Sequence, residues 1–255
     1  MFFFYRNNET RESIFNLYVD NSFAVGVESA LENTITELEK EYMLVVNRDA
    51  DEYLGCKIEK TSDVKMVISQ PDILKQLKKR FFDKVKHVGK HDTPSPVGYK
   101  VIKVMNNWEK LDNSAQKEYR GGVGLLLHLV KYSRTDLGNC IHELSKVMDV
   151  ANDGHEKELW RVIKYVLDTL RLKLKCDLQN NDRGIFYLTG KSDSEYARNK
   201  EDRLSITEWL VFFMSVMIAW KSKAQGHITL SSTKAELVEV TDSWCKLLFC
   251  KQILE

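Results

Sequence analysis

Long apolar runs are missing from this sequence. The longest one, Trp209 to Trp220, is about half of the ~20 residues that a membrane-spanning helix needs. The first residues, MFFFYRNNET, hold an apolar patch of four residues, short of the roughly 7 to 15 of a secretory signal. We therefore expect no membrane span and no secretory signal. The expected location is intracellular, in a cytoplasmic particle or the nucleus.

Paired cysteines and clustered histidines are missing as well. The five cysteines are Cys56, Cys140, Cys176, Cys245 and Cys250. They lie far apart in the chain, with no CxxC pair and no histidine at zinc-finger spacing. The six histidines show no ligand spacing either. These absences argue against a disulfide framework and a zinc site, and they predict reduced thiols.

Net charge is almost absent, at +1 for the whole chain, but it is unevenly distributed. Residues 1–56 carry a net charge of −7, residues 57–110 a net charge of +7, and residues 111–255 a net charge of +1. Part of the basic excess falls on one predicted helix, through Lys75, Lys78, Lys79 and Arg80. Such a face is compatible with contacts to a phosphate backbone. An ordinary solvated helix face is the alternative, and composition alone favours it.

Hydrophobic periodicity predicts an α+β fold. Residues 13–26 read as a hairpin with Asp20-Asn21-Ser22 at its tip, and the same polar tip is typical of any tight turn. Further strands are predicted over 41–46, 51–60, 64–70, 172–190 and 212–220, and helices over 28–40, 72–82, 114–131, 137–149 and 155–168. Residues 88–110 contain two prolines and no long period, which predicts an extended connection.

The stretch from Ala219 to Glu236 is predicted to be a strand that leads into a helix. Ile228 and Leu230 continue the alternation of the strand, and Ser231-Ser232-Thr233 supplies hydroxyls of the kind that cap a helix. Glu236 then falls near the first helical turn. The helix dipole favours a carboxylate there, and such a carboxylate is also suitably placed to hold a metal. An ordinary first-turn glutamate is the alternative.

Several stretches, in this order, resemble one family. LYVDN at 17–21 resembles the YVDD box of a polymerase palm, and EYLGCKIEK at 52–60 with ISQPDILKQLKKRF at 68–81 resembles the strand pair and basic helix after that box. The helical stretches at 119–148 and 155–169 are similar to the family's helices before ribonuclease H. KSDSEYARNKEDRLSITEW at 191–209 and AWKSKAQGHITLSSTKAEL at 219–237 resemble two ribonuclease H motifs. Residues 12–255 thus resemble a copia-type retrotransposon polyprotein, from reverse transcriptase through ribonuclease H.

The resemblance implies a domain order and two metal-dependent sites. It implies a palm and thumb remnant at 1–87, a linker and helical connection at 88–170, and a partial ribonuclease H-like domain with a mixed sheet at 171–255. Asp193 and Glu236 match ribonuclease H carboxylates, and Asp20 matches the first Asp of the palm box. Such carboxylates hold Mg²⁺ or Mn²⁺ for chemistry on a primer–template or an RNA–DNA hybrid. Lys75, Lys78, Lys79 and Arg80 would grip that nucleic acid.

One residue departs from the family pattern. Asn21 stands where the family has a second Asp, and asparagine brings no negative charge to a metal. We also expect the remaining family carboxylates of both sites to lie outside this sequence. An active polymerase and nuclease fragment is therefore one hypothesis. A catalytically decayed or co-opted nucleic-acid-binding protein is the second, and a helical interaction module around residues 112–170 is the third.

Overall fold

The structure is a computed structural model that describes residues 2–6, 13–62, 65–101, 109–178, 185–197 and 203–254. These residues contain ten strands and six α-helices, and the paired strands form three small antiparallel sheets. The predicted α+β class is confirmed. The chain divides into two compact units, residues 1–58 and 59–255. None of the described helices is long and apolar enough to cross a membrane.

The first unit begins with a three-stranded meander, in the order β1-β2-β3. Its elements are β1 (Phe2–Arg6), β2 (Ser13–Tyr18), β3 (Asn21–Gly26), α1 (Glu28–Leu38) and β4 (Glu52–Tyr53), followed by the start of β5 (Cys56–Ser62). Tyr53 contacts Phe23 with ring centroids 5.1 Å apart, and its hydroxyl donates to the carbonyl of Asn16 at 3.5 Å. The predicted hairpin and the helix that follows it are confirmed, but the predicted tip was wrong, because Asn21 and Ser22 pair with β2 and the turn consists of Val19 and Asp20.

A helical layer forms the main core of the second unit. Its helices are α2 (Pro71–Val85), α3 (Asn113–Tyr132), α4 (Gly138–Ser145) and α5 (Asp153–Asp168). The side chains that are completely buried include Leu77, Phe81, Tyr119, Leu126, Leu159 and Ile163. Pro71 opens α2 at a position where its missing N–H costs nothing. Asn152 and His155 form a reciprocal capping box at the start of α5.

A second three-stranded meander and a long helix complete this unit. The elements are β8 (Leu188–Glu195), β9 (Ile206–Phe213), β10 (Val216–Ala224) and α6 (Ser232–Leu254), and the strand order is β10-β9-β8. The helix packs closely on one face of this sheet, because a Cβ on Gly190 would lie 2.7 Å from Leu247 Cδ1. On the other face, the indole nitrogen of Trp220 donates to the carbonyl of Val130 in α3 at 2.8 Å.

Several strand and helix predictions were wrong in detail. Residues 41–46 form no strand, and Met43 and Val45 are fully exposed. The strand predicted over 51–60 is split by a tight turn in which Leu54 and Gly55 take positive φ values of 50° and 72°. Alternating apolar residues form a strand only where another strand or a hydrophobic core packs against them, and the local sequence does not reveal that packing partner.

Two further elements differ around the helices. The helix predicted over 137–149 is a short 3₁₀ turn followed by α4, which ends at Ser145. Ile228 and Leu230 lie outside β10, in an irregular segment, and both are exposed. Ser231 nevertheless caps α6 as predicted, because its hydroxyl accepts from the backbone N–H of Lys234 at 3.2 Å. The predicted turn at 180–182 lies outside the described residues.

The predicted mixed sheet differs from the observed pairing. The described strands pair in antiparallel fashion, including β6 (Lys65–Ser69) with β7 (Leu174–Asp177). A parallel pair needs a strand after a crossover helix, and the described residues after β10 contain only α6. The three-part division at 87 and 170 stays a prediction. The pairing of β6 with β7 joins its first and third parts.

Candidate nucleic-acid site

Asp20 lies at the tip of the first hairpin. Tyr18 pairs with Asn21, so the turn consists of Val19 and Asp20, which leaves Asn21 in the strand ladder. Val19 has φ of 56° and is 83% exposed. A β-branched residue seldom adopts this backbone conformation, and such strain is typical of functional turns. Within the first unit, Asp20 therefore occupies an exposed, strained turn.

Asp193 lies within β8, and its position in the strand determines which face it occupies. Asp193 pairs with Glu208, and Ser192 pairs with Trp209. Successive side chains of a strand point to opposite faces, and Trp209 donates from its indole nitrogen to Asp242 of α6 at 2.7 Å. Ser192 and Trp209 therefore face α6. Asp193 and Glu208 face the helical layer instead.

A cleft of about 850 Å³ lies between this sheet face and helices α3 and α4. Its lining contains Asp193 and four lysines, namely Lys131, Lys191, Lys221 and Lys223. The lining also contains the carboxylates of Asp136 and Glu208, so the cleft combines acidic groups with several ammonium groups. Lysines next to a carboxylate are a combination that can hold a phosphate chain close to a metal ligand.

Glu236 is exposed in the first turns of α6, and Glu239 lies one turn further on, buried to 1% exposure. Burial raises the pKa of the Glu239 carboxyl, and the negative charges of Asp193 and Glu236 raise it further. Hydrogen bonds from Ser192 and from the backbone N–H of Asp193 act in the opposite direction. The charges of Asp193 and Glu236 thus both act on Glu239, although the strand register turns the Asp193 side chain to the sheet face opposite α6.

Asp193 and Glu236 are the residues here that could hold a divalent ion. Exposed carboxylates are the ligands that Mg²⁺ and Mn²⁺ prefer. Within the described ranges, no group of three or more His, Cys, Asp or Glu side chains is arranged to hold a metal.

The predicted basic face on α2 is partly engaged in packing. Lys75, Lys78 and Lys79 are exposed along one side of the helix, and Lys75 contacts Asp72 at 3.0 Å. Arg80 lies over the Phe81 ring at 5.1 Å, and its guanidinium occupies the space beside Gly121 of α3. The three lysines can therefore reach a phosphate chain, whereas Arg80 has a packing role in addition to its charge.

Sequence reasoning missed the buried side of α6. Apolar residues recur at helical spacing in α6, but three of them, Leu237, Trp244 and Leu248, are exposed. The buried residues are Ala235, Glu239, Ser243 and Cys250. The four-residue spacing of the first three was a usable signal. Hydrophobic periodicity does not detect this spacing, because two of these residues are polar. They are buried because the sheet face beneath α6 offers hydrogen bonds.

These elements define a class of protein: an α+β chain with two strand meanders, a helical layer, and a lysine-lined cleft beside carboxylates. Comparison with known proteins agrees with the family resemblance. The chain is 29% identical over 259 residues, 99% of its length, to the retrovirus-related Pol polyprotein from transposon TNT 1-94 of Nicotiana tabacum. It is 26% identical over 93% of its length to the polyprotein from transposon RE2 of Arabidopsis thaliana.

The chain is thus distantly homologous to copia-type retrotransposon Pol polyproteins over most of its length. It spans 19% and 16% of the length of these two relatives. It is also 28% identical over 125 residues to the secreted RxLR effector protein 161 of Plasmopara viticola, covering 49% of this chain and 85% of that protein. No family model and no solved structure matches the chain.

Proposed function

We propose that this chain corresponds to the part of a copia-type Pol polyprotein that runs from the reverse transcriptase palm through ribonuclease H, and that residues 188–254 act on an RNA–DNA hybrid. The observation that carries the proposal is homology to Pol polyproteins over 99% of the chain. The order of the motifs supports the assignment to this region. The meander β8-β9-β10 followed by α6 also supports it, because this unit carries both motif carboxylates, Asp193 and Glu236.

Each residue group has a proposed part in hydrolysis of the RNA strand. Asp193 and Glu236 would hold Mg²⁺ or Mn²⁺, an ion that activates water and stabilises charge on the phosphate when bound. Lys131, Lys191 and Lys223 of the cleft would bind the phosphates on either side of the cleaved bond, whereas Lys221 is already paired with Asp242 of α6. Lys75, Lys78 and Lys79 would hold the backbone of the hybrid further along, because an exposed row of ammonium groups binds phosphates without reading the sequence.

The palm remnant has a weaker proposed role. Asp20 would be the surviving metal-binding carboxylate of the polymerase box, while Asn21 contributes a neutral amide and is paired with Tyr18. An ion held there would meet less negative charge than in the family's box. We therefore do not propose nucleotide addition by this chain, and we propose Asp20 only as a metal ligand.

A non-catalytic protein that binds nucleic acid is the second candidate. The observation that favours it is that no three His, Cys, Asp or Glu side chains, in the part of the chain that the structure describes, are arranged to hold a metal. The similarity to a protein named as a secreted effector is compatible with a Pol-derived sequence in another role. In this second candidate function, the lysine surfaces bind nucleic acid and no hydrolysis takes place.

Cleavage of a labelled hybrid separates the two candidates. The full chain is incubated with a 5′-labelled RNA–DNA hybrid in Mg²⁺ or Mn²⁺, and the expected result is cleavage of RNA that Asp193→Asn and Glu236→Gln abolish. Asp149→Asn is the control, because Asp149 is an exposed carboxylate that forms a surface ion pair with Arg120. Binding of the hybrid without metal-dependent cleavage would instead support the non-catalytic candidate.

Salt dependence of binding tests the basic face in either case. Replacing Lys75, Lys78 and Lys79 by Ala should weaken binding and reduce the slope of log K against log salt by about 3, one unit for each lost phosphate contact. The same change at Lys117 and Lys157, which are lysines on the outer sides of α3 and α5, serves as the control. An unchanged slope in the triple variant would remove α2 from the proposed interface.

A further inference from the structure

A cluster of buried oxygen atoms lies between α6 and the sheet, apart from the exposed carboxylates. Gln225 is 6% exposed and Glu239 is 1% exposed. In the part of the chain that the structure describes, Gln225 Oε1, Glu239 Oε1 and Ser194 Oγ are buried without a hydrogen-bond partner. A buried oxygen that lacks a partner is unfavourable and calls for a ligand or an ordered donor.

Sheet register and hydrogen bonds bring these three residues together. Ser194 pairs with Thr207 across β8 and β9, so the two side chains share a face of the sheet. Gln225 lies just after β10, and its amide nitrogen donates to Thr207 Oγ1 at 3.1 Å and to the carbonyl of Ala235 at 2.9 Å. Ala235 and Glu239 are buried one turn apart on the same side of α6. The cluster thus spans about one helical turn.

The chemistry of the cluster is that of electron-pair donors. A carbonyl can only accept, so the bond to Ala235 fixes the Gln225 nitrogen and makes its Oε1 the free end of the amide. Glu239 adds a carboxylate oxygen, and Ser194 adds a hydroxyl. The nearby charges of Asp193 and Glu236 make the potential at Glu239 still more negative. A positive ion would satisfy all three oxygens at once.

We propose that Glu239, Gln225 and Ser194 bind a hard cation of the Ca²⁺ type, beneath α6. Ca²⁺ takes carboxylate, amide and hydroxyl oxygens in flexible geometries, whereas Mg²⁺ keeps several of its waters and requires a near-ideal octahedron. The ion would hold α6 against the sheet. This site is separate from the proposed catalytic pair, Asp193 and Glu236, and does not depend on hydrolysis.

Terbium luminescence tests the site directly. Tb³⁺ serves as a probe for Ca²⁺ sites, and Trp209 lies near enough to sensitise it: it pairs with Ser192, and its indole donates to Asp242, one turn beyond Glu239. The full chain in chelator-treated buffer is titrated with TbCl₃ under tryptophan excitation. The expected result is saturable luminescence that CaCl₂ displaces, with loss of the signal in Glu239→Gln.

Four controls make the outcome decisive. Asp193→Asn and Glu236→Gln should keep a saturable signal, weakened only by the loss of a nearby negative charge, and complete loss of the signal in either would assign the ion to the exposed pair and overturn the proposal. Ser194→Ala should weaken Tb³⁺ binding if Glu239→Gln proves unable to fold. CaCl₂ should raise the melting temperature of the wild type and leave that of Glu239→Gln unchanged. No luminescence in the wild type would overturn the proposal, whatever the hybrid-cleavage assay shows.

Discussion

The sequence SRTDL, residues 133–137, lies inside the helical stretch 119–148 that resembles the family, and Arg134 offers a sharp test of whether this motif is structural. Its side chain is 3% exposed, and its guanidinium donates to both carboxylate oxygens of Asp136, at 2.9 and 2.8 Å. It also donates to Thr169 Oγ1 at 3.0 Å and to the Thr169 carbonyl at 3.4 Å. Tyr165 completes the network by donating from its hydroxyl to Asp136 at 3.1 Å. The motif therefore ties the turn before α4 to the end of α5.

Replacing Arg134 by Met should lower the free energy of unfolding substantially. Removing one partner of a buried ion pair typically costs about 3–5 kcal/mol, because the other charge is left without compensation. The Asp136 side chain is 35% exposed, so water partly compensates it. We therefore expect a loss of about 2–4 kcal/mol, a large share of the total stability of a domain.

Urea denaturation followed by far-UV circular dichroism measures this loss. The matched control is Arg120→Met, because Arg120 pairs with Asp149 at 3.1 Å on the surface, where the two side chains are 48% and 83% exposed. That change should cost no more than about 1 kcal/mol. The urea dependence of the unfolding free energy should be the same in both variants. Equal stability of the two variants would refute a structural role for the motif.

Two further predictions concern α3 and α6. Gly124→Ala should stabilise the protein by about 0.8–1 kcal/mol, because a Cβ there meets nothing within 4 Å and alanine is the better helix former. The free energy of unfolding of Gly122→Ala, measured by heat or urea, should be about 1–3 kcal/mol lower than that of Gly124→Ala, because the added Cβ would lie 3.0 Å from Leu159 Cδ2. Equal stability of the two variants would contradict the close packing at Gly122. Burial opposes ionisation of Asp242, but hydrogen bonds from Lys221 and Trp209 outweigh it and lower the pKa. The stability that ionised Asp242 contributes is therefore complete above the pKa of about 3.9 that Asp has in the unfolded chain, and it is lost as the pH falls through the lower pKa of the folded state. Asp242→Asn should cost about 1 kcal/mol at neutral pH, reduced by the 39% exposure of the carboxylate, and a difference from wild type that persists at pH 2 would contradict this account.

The two proposed metal sites differ in the acidic residues that they contain. In the first proposed site, at the first hairpin, Asp20 is followed by Asn21, a neutral residue that pairs with Tyr18 in the strand ladder. In the second proposed site, at β8 and α6, Asp193 and Glu236 both raise the pKa of Glu239. We therefore expect hydrolysis at the second site rather than the first. The two candidate functions differ only there, since both need the lysines.

The sequence by itself determined the features that depend on short-range chemistry. Pro71 at the start of α2, the Asn152 cap of α5 and the Ser231 cap of α6 were all readable, because each acts on backbone groups within a few residues. The packing of the α3 glycines was not readable in this way, because a Cβ on Gly122 would lie 3.0 Å from Leu159 Cδ2 whereas one on Gly124 would meet nothing within 4 Å. The motif order was sufficient to indicate the relation to Pol polyproteins.

Only the tertiary structure decided which side of each element is covered. In α6 it buries Glu239 and exposes Leu237 and Trp244, because the sheet face beneath the helix carries hydrogen-bonding groups rather than a purely apolar surface. It also turns Asp193 towards the lysine cleft while its neighbour Ser192 faces α6, a consequence of the register with β9. Burial and register depend on partners far away in the sequence, so local periodicity cannot specify them.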